Sequence, residues 1–252
     1  EDEHLLSIED KVAPVSEIFR LQNAGELQDA EDRYLPKGAE NTTAIVLAAS
    51  RGHELGELTE LQPKTMVKVQ GTPILSHIVD AYNAVGIKDI VVVRGYKKDT
   101  VNLPNLTYVD NDDFVDTGEL DSLLKALQSR TGRLQSTIIS YGDVLFNKFI
   151  PQSLCQETDD CVIFIDSDWQ AQPGYIRLGG FAECTIPNSR KAFNAKIYLK
   201  RLGDTIPQTS IHGVSMGFLK ISPSAATFIT GILVELMARP ANHKATMSLL
   251  LQ

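Results

Sequence analysis

The sequence predicts an α/β fold with a mixed, mostly parallel sheet flanked by helices. Short apolar segments rich in β-branched residues, such as AIVLAA at 44–49 and DIVVVRG at 89–95, alternate with segments of helical apolar spacing, such as PILSHIVDAYNAVG at 73–86. This alternation is typical of a parallel sheet with helices on both faces. AIVLAA is apolar without alternation, which indicates a strand buried on both faces. With 252 residues, 43% of them hydrophobic, the chain can bury one substantial core.

The other elements follow the same two patterns along the chain. TMVKV, TIISYGD and CVIFID are predicted strands, and GELDSLLKALQSR, FIPQSL and SPSAATFITGILVELMA are predicted helices. Gly86 is a predicted C′ residue of the first helix and Thr117 a predicted N-cap of the second. After about residue 170 the pattern loosens into YIRLGGF, FAECTIP, FNAKIYLKRL and VSMGFLKIS. These segments predict a small antiparallel extension, or lid, over the preceding half.

The chain divides into an amino-terminal appendage, residues 1–40, and a folded domain, residues 41–252. Within the appendage, residues 5–36 carry helical apolar spacing interrupted by Asn-Ala-Gly, which predicts two short helices before the linker-like PKGAENT. The appendage holds 4 Lys and Arg against 11 Asp and Glu, whereas the rest holds 20 against 21. Nearly all of the net charge of −8 therefore lies in the appendage.

Composition and charge argue against several classes of partner. No basic stripe with interleaved aromatic residues appears, so we expect no nucleic acid partner. No apolar run approaches the roughly 20 residues of a membrane span. The acidic amino end is unlike a signal peptide, so we expect no membrane partner and a cytoplasmic location. Because Cys155, Cys161 and Cys184 lack CxxC spacing, we expect reduced core thiols.

Residues 44–73 carry the strongest functional signal. The strand AIVLAA runs into a long polar loop, and the carboxyl end of a buried parallel strand is where ligands bind in open α/β sheets. Residues 48–50 are small, so their backbone N–H groups can approach an anion closely, and Arg51 and Lys64 add two cations. The loop is neither a GxxxxGK[ST] loop nor a GxGxxG fingerprint, so the residues alone predict either a phosphate site or a solvated surface loop.

The motif LAASRG followed by PK resembles the LAAG-x-G-(T/S)-R-(x)n-PK signature of sugar-phosphate and choline-phosphate nucleotidyltransferases, and VQGTPIL resembles their V-x-G-K-P-L/I-L. The resemblance implies a Rossmann-like, GT-A-like fold. Residues 41–170 would then be the nucleotide-binding half, and residues 171–252 the substrate lid and carboxyl-terminal helices. It implies that Lys64 and Arg51 are catalytic, on the α-phosphate and the β/γ-phosphates respectively. The nucleotide-binding residues implied here are Leu47, Ala48, Ala49, Ser50, Arg51, Gly52 and Lys64.

Asp143 ends the predicted strand TIISYGD on the same sheet edge as this loop. One carboxylate plus phosphate oxygens is a normal Mg²⁺ site, although the position alone also suits a turn aspartate. The Gly-Asp pair resembles the metal-binding Asp of the family, which implies Mg²⁺ as the cofactor. The second acidic ligand of the family has no convincing match after residue 205. Asp166 and Asp168 are candidate substitutes, or else ordinary strand-end acids.

TGELDSL at 117–123 opens a predicted helix and resembles the T-x-N-x-x-S-L element of choline-phosphate cytidylyltransferases, which lies near the base and substrate. Glu119 stands where that family often has Asn. It either stabilises the helix start through the macrodipole or accepts the amino group of cytosine. The nucleotide-binding residues implied on this side of the site are Gly118, Glu119, Ser122, Tyr141 and Gly142.

The lid supplies the remaining polar candidates. Arg190 and Lys191 could neutralise a phosphonate and His212 could orient it, and each is otherwise a surface residue. The His-Gly pair before MGFLK resembles an element of phosphonate cytidylyltransferases. Together with Asp168, these three are the candidate substrate-binding residues.

Residues 12–36, VAPVSEIFRLQ through ELQDAEDRYLP, resemble the carboxyl-terminal tail of phosphoenolpyruvate mutases. The resemblance implies that residues 1–40 are the tail of a fused mutase domain plus a linker, with any homo-oligomer forming through the mutase part. A mutase of this kind makes carbon–phosphorus bonds. Together with residues 44–250, it implies a phosphonate cytidylyltransferase of the fosfomycin-pathway type, which uses CTP and 2-hydroxyethylphosphonate.

Three alternatives stay open at this point. The acceptor could be 2-aminoethylphosphonate, whose ammonium group would need an acid such as Asp110, Asp112, Asp113 or Asp116. The chain could instead be a sugar-1-phosphate nucleotidyltransferase. It could also be a non-catalytic nucleotide-binding module, since Ser50 replaces the usual Gly and the late acidic motif is absent.

Overall fold

The computed structural model describes residues 35–130, 132, 135–168, 170, 180–189 and 195–251. The two helices predicted within residues 5–36 and nearly all of the mutase-like appendage lie outside these residues. Arg190 and Lys191 also lie outside them. The predictions made for those positions therefore stay predictions.

Strands and helices alternate through the first half of the domain, as the sequence predicts. The strands are β1 (Thr42–Ala48), β2 (Lys68–Val69), β3 (Thr72–Pro73), β4 (Asp89–Arg94), β5 (Thr107–Asp110), β6 (Ser136–Tyr141), β7 (Cys161–Asp166), β8 (Phe181–Cys184), β9 (Leu199–Gly203) and β10 (Gly213–Ile221). The α-helices are α1 (Ile74–Asn83), α2 (Glu119–Ser129), α3 (Phe149–Gln156), α4 (Pro223–Met237) and α5 (Met247–Leu250). Within the described residues, no helix combines the length and apolarity needed to cross a bilayer.

The main sheet has a parallel half and an antiparallel half. β5, β4, β1 and β6 lie side by side and pair in parallel. β10 pairs antiparallel with β6, β7 and β8, and β9 pairs antiparallel with β8. The predicted mixed sheet and the antiparallel extension are both confirmed.

β1 is buried on both faces, which accounts for its unbroken apolar sequence. Ala44 and Val46 belong to the core on the side of α1 and α3, whereas Ile45 and Leu47 belong to the core on the side of α2 and α4. Ala44, Ile45 and Val46 have no exposed surface. Helices therefore cover both faces of the sheet, so only its edge at the strand ends is left for a ligand.

Three local predictions need correction. TMVKV is a 3₁₀ turn, Lys64–Met66, followed by the two-residue strand β2, because the chain turns back after Pro63. Gly118, not Thr117, is the N-cap of α2, since the Thr117 hydroxyl donates instead to the Asp113 carbonyl at 2.9 Å. Gly86, the predicted C′ residue, takes a positive φ of 88° but lies one position beyond C′, because Ala84 is the C-cap of α1.

Candidate active site

A cleft of about 310 Å³ opens at the carboxyl ends of β1 and β6, beside the start of α2. The sequence predicts eleven of its lining residues as site residues. The residues that line the cleft are Leu47, Ala48, Ala49, Ser50, Lys64, Thr65, Asn111, Phe114, Thr117, Gly118, Glu119, Ser122, Tyr141, Gly142 and Asp143. The structure thus brings the predicted phosphate loop and the candidate metal ligand together at one site.

Small residues let β1 and β6 end in close contact under the cleft. The Gly142 N–H donates to the Leu47 carbonyl at 2.9 Å, and a Cβ on Gly142 would lie 2.7 Å from the Ala48 Cβ. The Ala49 carbonyl accepts from the Tyr96 N–H at 2.9 Å. These contacts fix the backbone that a phosphate group would approach.

Lys64 lies between two carboxylates at this end of the cleft. Its Nζ atom is 2.6 Å from Asp143 Oδ2 and 2.5 Å from Glu54 Oε1. Burial alone would lower the pKa of Lys64, but its hydrogen bonds to Asp143 and Glu54 outweigh that effect and raise the pKa. The hydrogen bond to Lys64 is the main cause that lowers the pKa of Glu54. Lys64 is therefore a fixed cation at physiological pH.

Gly52 is required for the position of Lys64. Its φ of 78° lies in the left-handed region, and a Cβ there would lie 2.7 Å from Lys64 Cδ. The Lys64 N–H also donates to the Arg51 carbonyl at 3.2 Å. The loop after β1 and the turn at Lys64 are thus held together through backbone contacts as well as through the side chain.

The Arg51 side chain lies beside the cleft and does not line it. Its guanidinium carbon is 5.5 Å from the centre of the Tyr96 ring. The buried Arg51 Nε atom has no hydrogen-bond partner among the described residues. Gly52 likewise does not line the cleft. Arg51 and Gly52, both predicted as nucleotide-binding residues, therefore follow the cleft lining in sequence but lie outside it.

The start of α2 is tied to the carboxyl-terminal segment. Glu119 Oε1 accepts from the Met247 N–H at 2.8 Å, and the Tyr141 hydroxyl donates to the same carboxylate. Burial raises the pKa of Glu119 and that of Tyr141. The Gly118 N–H donates to the His243 carbonyl at 2.5 Å. Glu119 therefore anchors α5 and at the same time lines the cleft.

Asp143 is the candidate metal ligand that the cleft supports. Its side chain is 25% exposed, and one of its oxygens contacts Lys64, so the carboxylate can still accept a cation from the cleft side. A hard divalent cation needs oxygen ligands, which this carboxylate and bound phosphate oxygens would supply. The described residues contain no group of three or more His, Cys, Asp or Glu arranged to hold a metal. Metal binding by Asp143 therefore stays a prediction.

The candidate substrate-binding residues in the described part of the lid do not line this cleft. The Asp168 N–H donates to Asp166 Oδ1 at 2.9 Å, next to the end of β7. His212 lines a second cavity of about 680 Å³ along β7, and its Nδ1 atom accepts from the Cys184 N–H at 3.0 Å. The structure therefore brings together the nucleotide and metal candidates but not Asp168 and His212.

Sequence reasoning missed five contributors to the site, one of which, Thr117, was predicted only as a helix cap. Asn111 and Phe114 follow the carboxyl end of β5, as Asp143 follows that of β6, so the strand-end rule could have identified them. Thr65 lines the cleft with a buried hydroxyl that has no partner among the described residues. Glu54 was missed because only the folded chain shows that it contacts Lys64, ten positions away.

The chain matches the family model described as MobA-like NTP transferase domain over residues 44–187. It is 30% identical over 139 residues to the CTP:phosphoglutamine cytidylyltransferase of Campylobacter jejuni subsp. jejuni, an alignment that covers 50% of this chain and 53% of that protein. It is 31% identical over 94 residues to the 2-aminoethylphosphonate cytidylyltransferase of Lancefieldella rimae, with 35% and 38% covered. The chain spans about half or less of the length of these curated relatives.

The fold also resembles a solved structure. The inositol-1-phosphate CTP transferase from T. maritima superposes with a TM-score of 0.64 at 17% identity, covering 85% of this chain and 81% of that one. This likeness confirms the predicted Rossmann-like nucleotidyltransferase fold. Since the family model covers more than half of the chain, the chain belongs to the MobA-like NTP transferase domain family.

Proposed function

We propose that the domain transfers CMP from CTP to a small phosphonate, with 2-hydroxyethylphosphonate as the first choice of acceptor. The observation that carries the proposal is the 2.6 Å contact between Lys64 Nζ and Asp143 Oδ2 inside the cleft at the ends of β1 and β6. A cation for phosphate and a carboxylate for a divalent metal are the two groups that a nucleoside triphosphate needs. The cytidylyltransferase names of the two relatives support the choice of CTP.

In the proposed reaction, a phosphonate oxygen attacks the α-phosphorus of CTP. A new P–O bond forms, and the bond from the α-phosphorus to the bridging oxygen breaks as its electron pair leaves with pyrophosphate. Because the attacking oxygen is already anionic, no general base is needed. Catalysis then depends on positioning and charge neutralisation.

Lys64 is the residue proposed to neutralise charge at the α-phosphate. Its Nζ atom can exchange the Glu54 contact for a phosphate oxygen while the Asp143 contact holds it in place. Asp143 would hold Mg²⁺, which when bound offsets charge on the triphosphate. The small residues after Leu47 let backbone N–H groups approach the same phosphates.

The choice of 2-hydroxyethylphosphonate as acceptor rests on two observations. The appendage resembles mutase tails, and the acids at the end of β5 and in the loop after it do not line the cleft. Asp110, Asp112, Asp113 and Asp116 are the acids that could have bound the ammonium group of 2-aminoethylphosphonate. None of the four lines the cleft, and each of the first three forms an ion pair with a Lys or Arg. An acceptor without an ammonium group therefore suits this loop better.

A pyrophosphate-release assay tests the proposal. CTP, UTP, GTP and dTTP are each offered with 2-hydroxyethylphosphonate, 2-aminoethylphosphonate and glucose 1-phosphate. We expect the fastest release with CTP and 2-hydroxyethylphosphonate. Absence of release with every phosphonate would defeat the proposal, and binding of CTP without any turnover would indicate a non-catalytic module.

A pair of lysine variants tests the role of Lys64. Lys64→Met should lower kcat by about 100-fold, because a charge contact made in the transition state is lost. Lys68→Met is the matched control, since Lys68 is exposed and does not line the cleft. Near-normal turnover of Lys64→Met at saturating CTP would contradict the assignment.

A further inference from the structure

A hydrogen-bonded network connects a lysine outside the cleft to hydroxyl groups that line it. Lys125 Nζ donates to Asn111 Oδ1 at 3.0 Å. Asn111 Nδ2 in turn donates to Thr117 Oγ1 and to Ser122 Oγ, each at 3.0 Å. Asn111, Thr117 and Ser122 line the cleft at the end of β5 and the start of α2, whereas Lys125 does not.

Lys125 sets the direction of the hydrogen bonds that Asn111 makes. An ammonium group can only donate, so the Asn111 atom that faces Lys125 must be the carbonyl oxygen and the amide nitrogen must face the hydroxyls. The Thr117 proton goes to the Asp113 carbonyl at 2.9 Å. Among the described residues, the Ser122 proton has no acceptor. Ser122 is therefore left as a hydrogen-bond donor at the cleft.

Lys125 is held in its charged state. Its Nζ atom lies 2.9 Å from Asp121 Oδ2 and 3.2 Å from Asp113 Oδ2. Burial would lower the pKa of Lys125, but the two carboxylates outweigh this effect and raise the pKa. Asn111 is 1% exposed, so it cannot exchange these partners for bulk water. The folded chain therefore fixes which atoms of this network donate hydrogen bonds and which accept them, and we call this pattern the polarity of the network.

The side of the cleft formed by Asn111, Phe114 and Ser122 suits a nucleobase better than a phosphate. Lys64 is the one cation among the described residues that line the cleft, and it belongs to the turn that faces the loop after β1. The wall at Asn111 and Ser122 instead offers neutral polar groups and the ring of Phe114, which can contact the face of a base.

We propose that Asn111 and Lys125 are positioning residues that make the site selective for cytosine over uracil. The inference rests on the proposed function, because it assumes a pyrimidine nucleotide in this cleft. The N3 atom of cytosine accepts a hydrogen bond, whereas N3 of uracil carries a proton. The Ser122 hydroxyl can give its proton to N3 of cytosine, whereas accepting from N3 of uracil would leave that proton without an acceptor among the described residues. The preference for CTP over UTP would thus depend on Asn111, which orients the Ser122 hydroxyl, and on Lys125, which orients the Asn111 amide.

Asn111→Asp is the sharpest test, because it keeps the shape of the side chain and reverses the polarity of the network. The carboxylate retains the Lys125 contact, but it can only accept, so the hydroxyl protons must turn toward it. Ser122 then presents a lone pair to the base. We expect the ratio of the Kd for UTP to the Kd for CTP to fall by about tenfold, the value of one hydrogen bond. The two Kd values are measured by calorimetry.

Two lysine variants separate positioning from general loss of structure. Lys125→Met should lower the same ratio, and Lys125→Arg should restore part of it, because arginine can also only donate. Lys98→Met is the matched control. Lys98 pairs with Asp110 and Asp112 and does not line the cleft, so the ratio should stay at the wild-type value. Thermal melting shows whether each variant is folded.

An unchanged ratio in folded Asn111→Asp would overturn the inference. If that variant fails to fold, Ser122→Ala decides the matter, since it should weaken CTP binding more than UTP binding. An equal effect on both nucleotides would overturn the inference. Because binding is measured apart from turnover, a wild-type chain that prefers CTP but releases no pyrophosphate defeats only the proposed function. A wild-type chain that binds neither nucleotide defeats both.

Discussion

Glu54 occupies one donor of Lys64, the residue proposed to bind a phosphate oxygen of CTP. The Glu54 Oε1 atom is 2.5 Å from Lys64 Nζ, on the 3₁₀ segment His53–Thr59 that follows Gly52. In the proposed complex, a triphosphate at Lys64 would weaken this contact and would leave the Glu54 carboxylate near a polyanion. We therefore expect Glu54→Gln to bind CTP more tightly than the wild type.

The expected change in the Kd for CTP follows from how exposed the Glu54 and Lys64 side chains are. The Glu54 side chain is 61% exposed and that of Lys64 is 24% exposed, so the ion pair is largely screened by solvent. Such a pair contributes at most about 1 kcal/mol. Repulsion between the carboxylate and a phosphate about 4 Å away adds about 1 kcal/mol per unit charge in water. Losing both gives about 1–2 kcal/mol, or a Kd lower by about 5- to 30-fold.

Calorimetric titration with CTP in the presence of Mg²⁺ measures the change. Glu57→Gln is the matched control, because Glu57 is an exposed acid of the same segment without an ion pair to Lys64 among the described residues. The gap between the two variants should narrow as ionic strength rises. If Glu54→Gln bound CTP no better than Glu57→Gln, Glu54 would not compete with CTP for Lys64. Weaker binding would place Glu54 among the ligands.

Three further predictions concern the same cleft. Asp143→Asn should raise the Mg²⁺ concentration needed for half-maximal turnover by at least about tenfold, measured by metal titration at saturating CTP. Gly52→Ala should cost about 1–2 kcal/mol in urea unfolding and also lower kcat, because its Cβ would meet the Lys64 side chain. Gly56→Ala has a similar positive φ of 55° but no atom within 4 Å, so it should lose stability and keep kcat. Burial raises the pKa of Glu119 in the folded chain above its ordinary value of 4.5. Protonated Glu119 therefore adds to the free energy of unfolding below pH 4.5, and this contribution is lost as the pH rises through the pKa of the folded chain. The free energy of unfolding of the wild type should therefore fall relative to Glu119→Gln over that range, as measured by urea unfolding at several pH values.

Local sequence predicts the parts of the site that depend on strand ends. β1 has no polar alternation because both of its faces are covered, and its small carboxyl-terminal residues form the floor of the cleft. Asp143 follows the end of β6, the neighbour of β1 in the sheet. Since parallel strands end at one edge, residues that are distant in sequence could be placed at the same site without a structure.

Contacts between side chains from separate loops could not be predicted in this way. Glu54 and Lys64 are separated by a segment of irregular turns, so their contact depends on how that segment folds back. Glu119 sits at a helix start, where a carboxylate is favourable for local reasons, and nothing local shows that it accepts from the Met247 N–H. The orientation of the Asn111 amide depends on its contact with Lys125, and no sequence motif predicts that contact.

The charge of the cleft is the reason to expect that a metal and the Glu54 contact both affect the proposed binding of CTP. Among the described residues that line it, Lys64 supplies one positive charge, whereas Glu119 and Asp143 are two acids. A triphosphate brings several negative charges to this lining. Backbone N–H groups after Leu47 can offset part of the repulsion, and a divalent cation on Asp143 would offset more. With so little positive charge in the walls, the loss of a single carboxylate beside Lys64 should be measurable in the affinity for CTP.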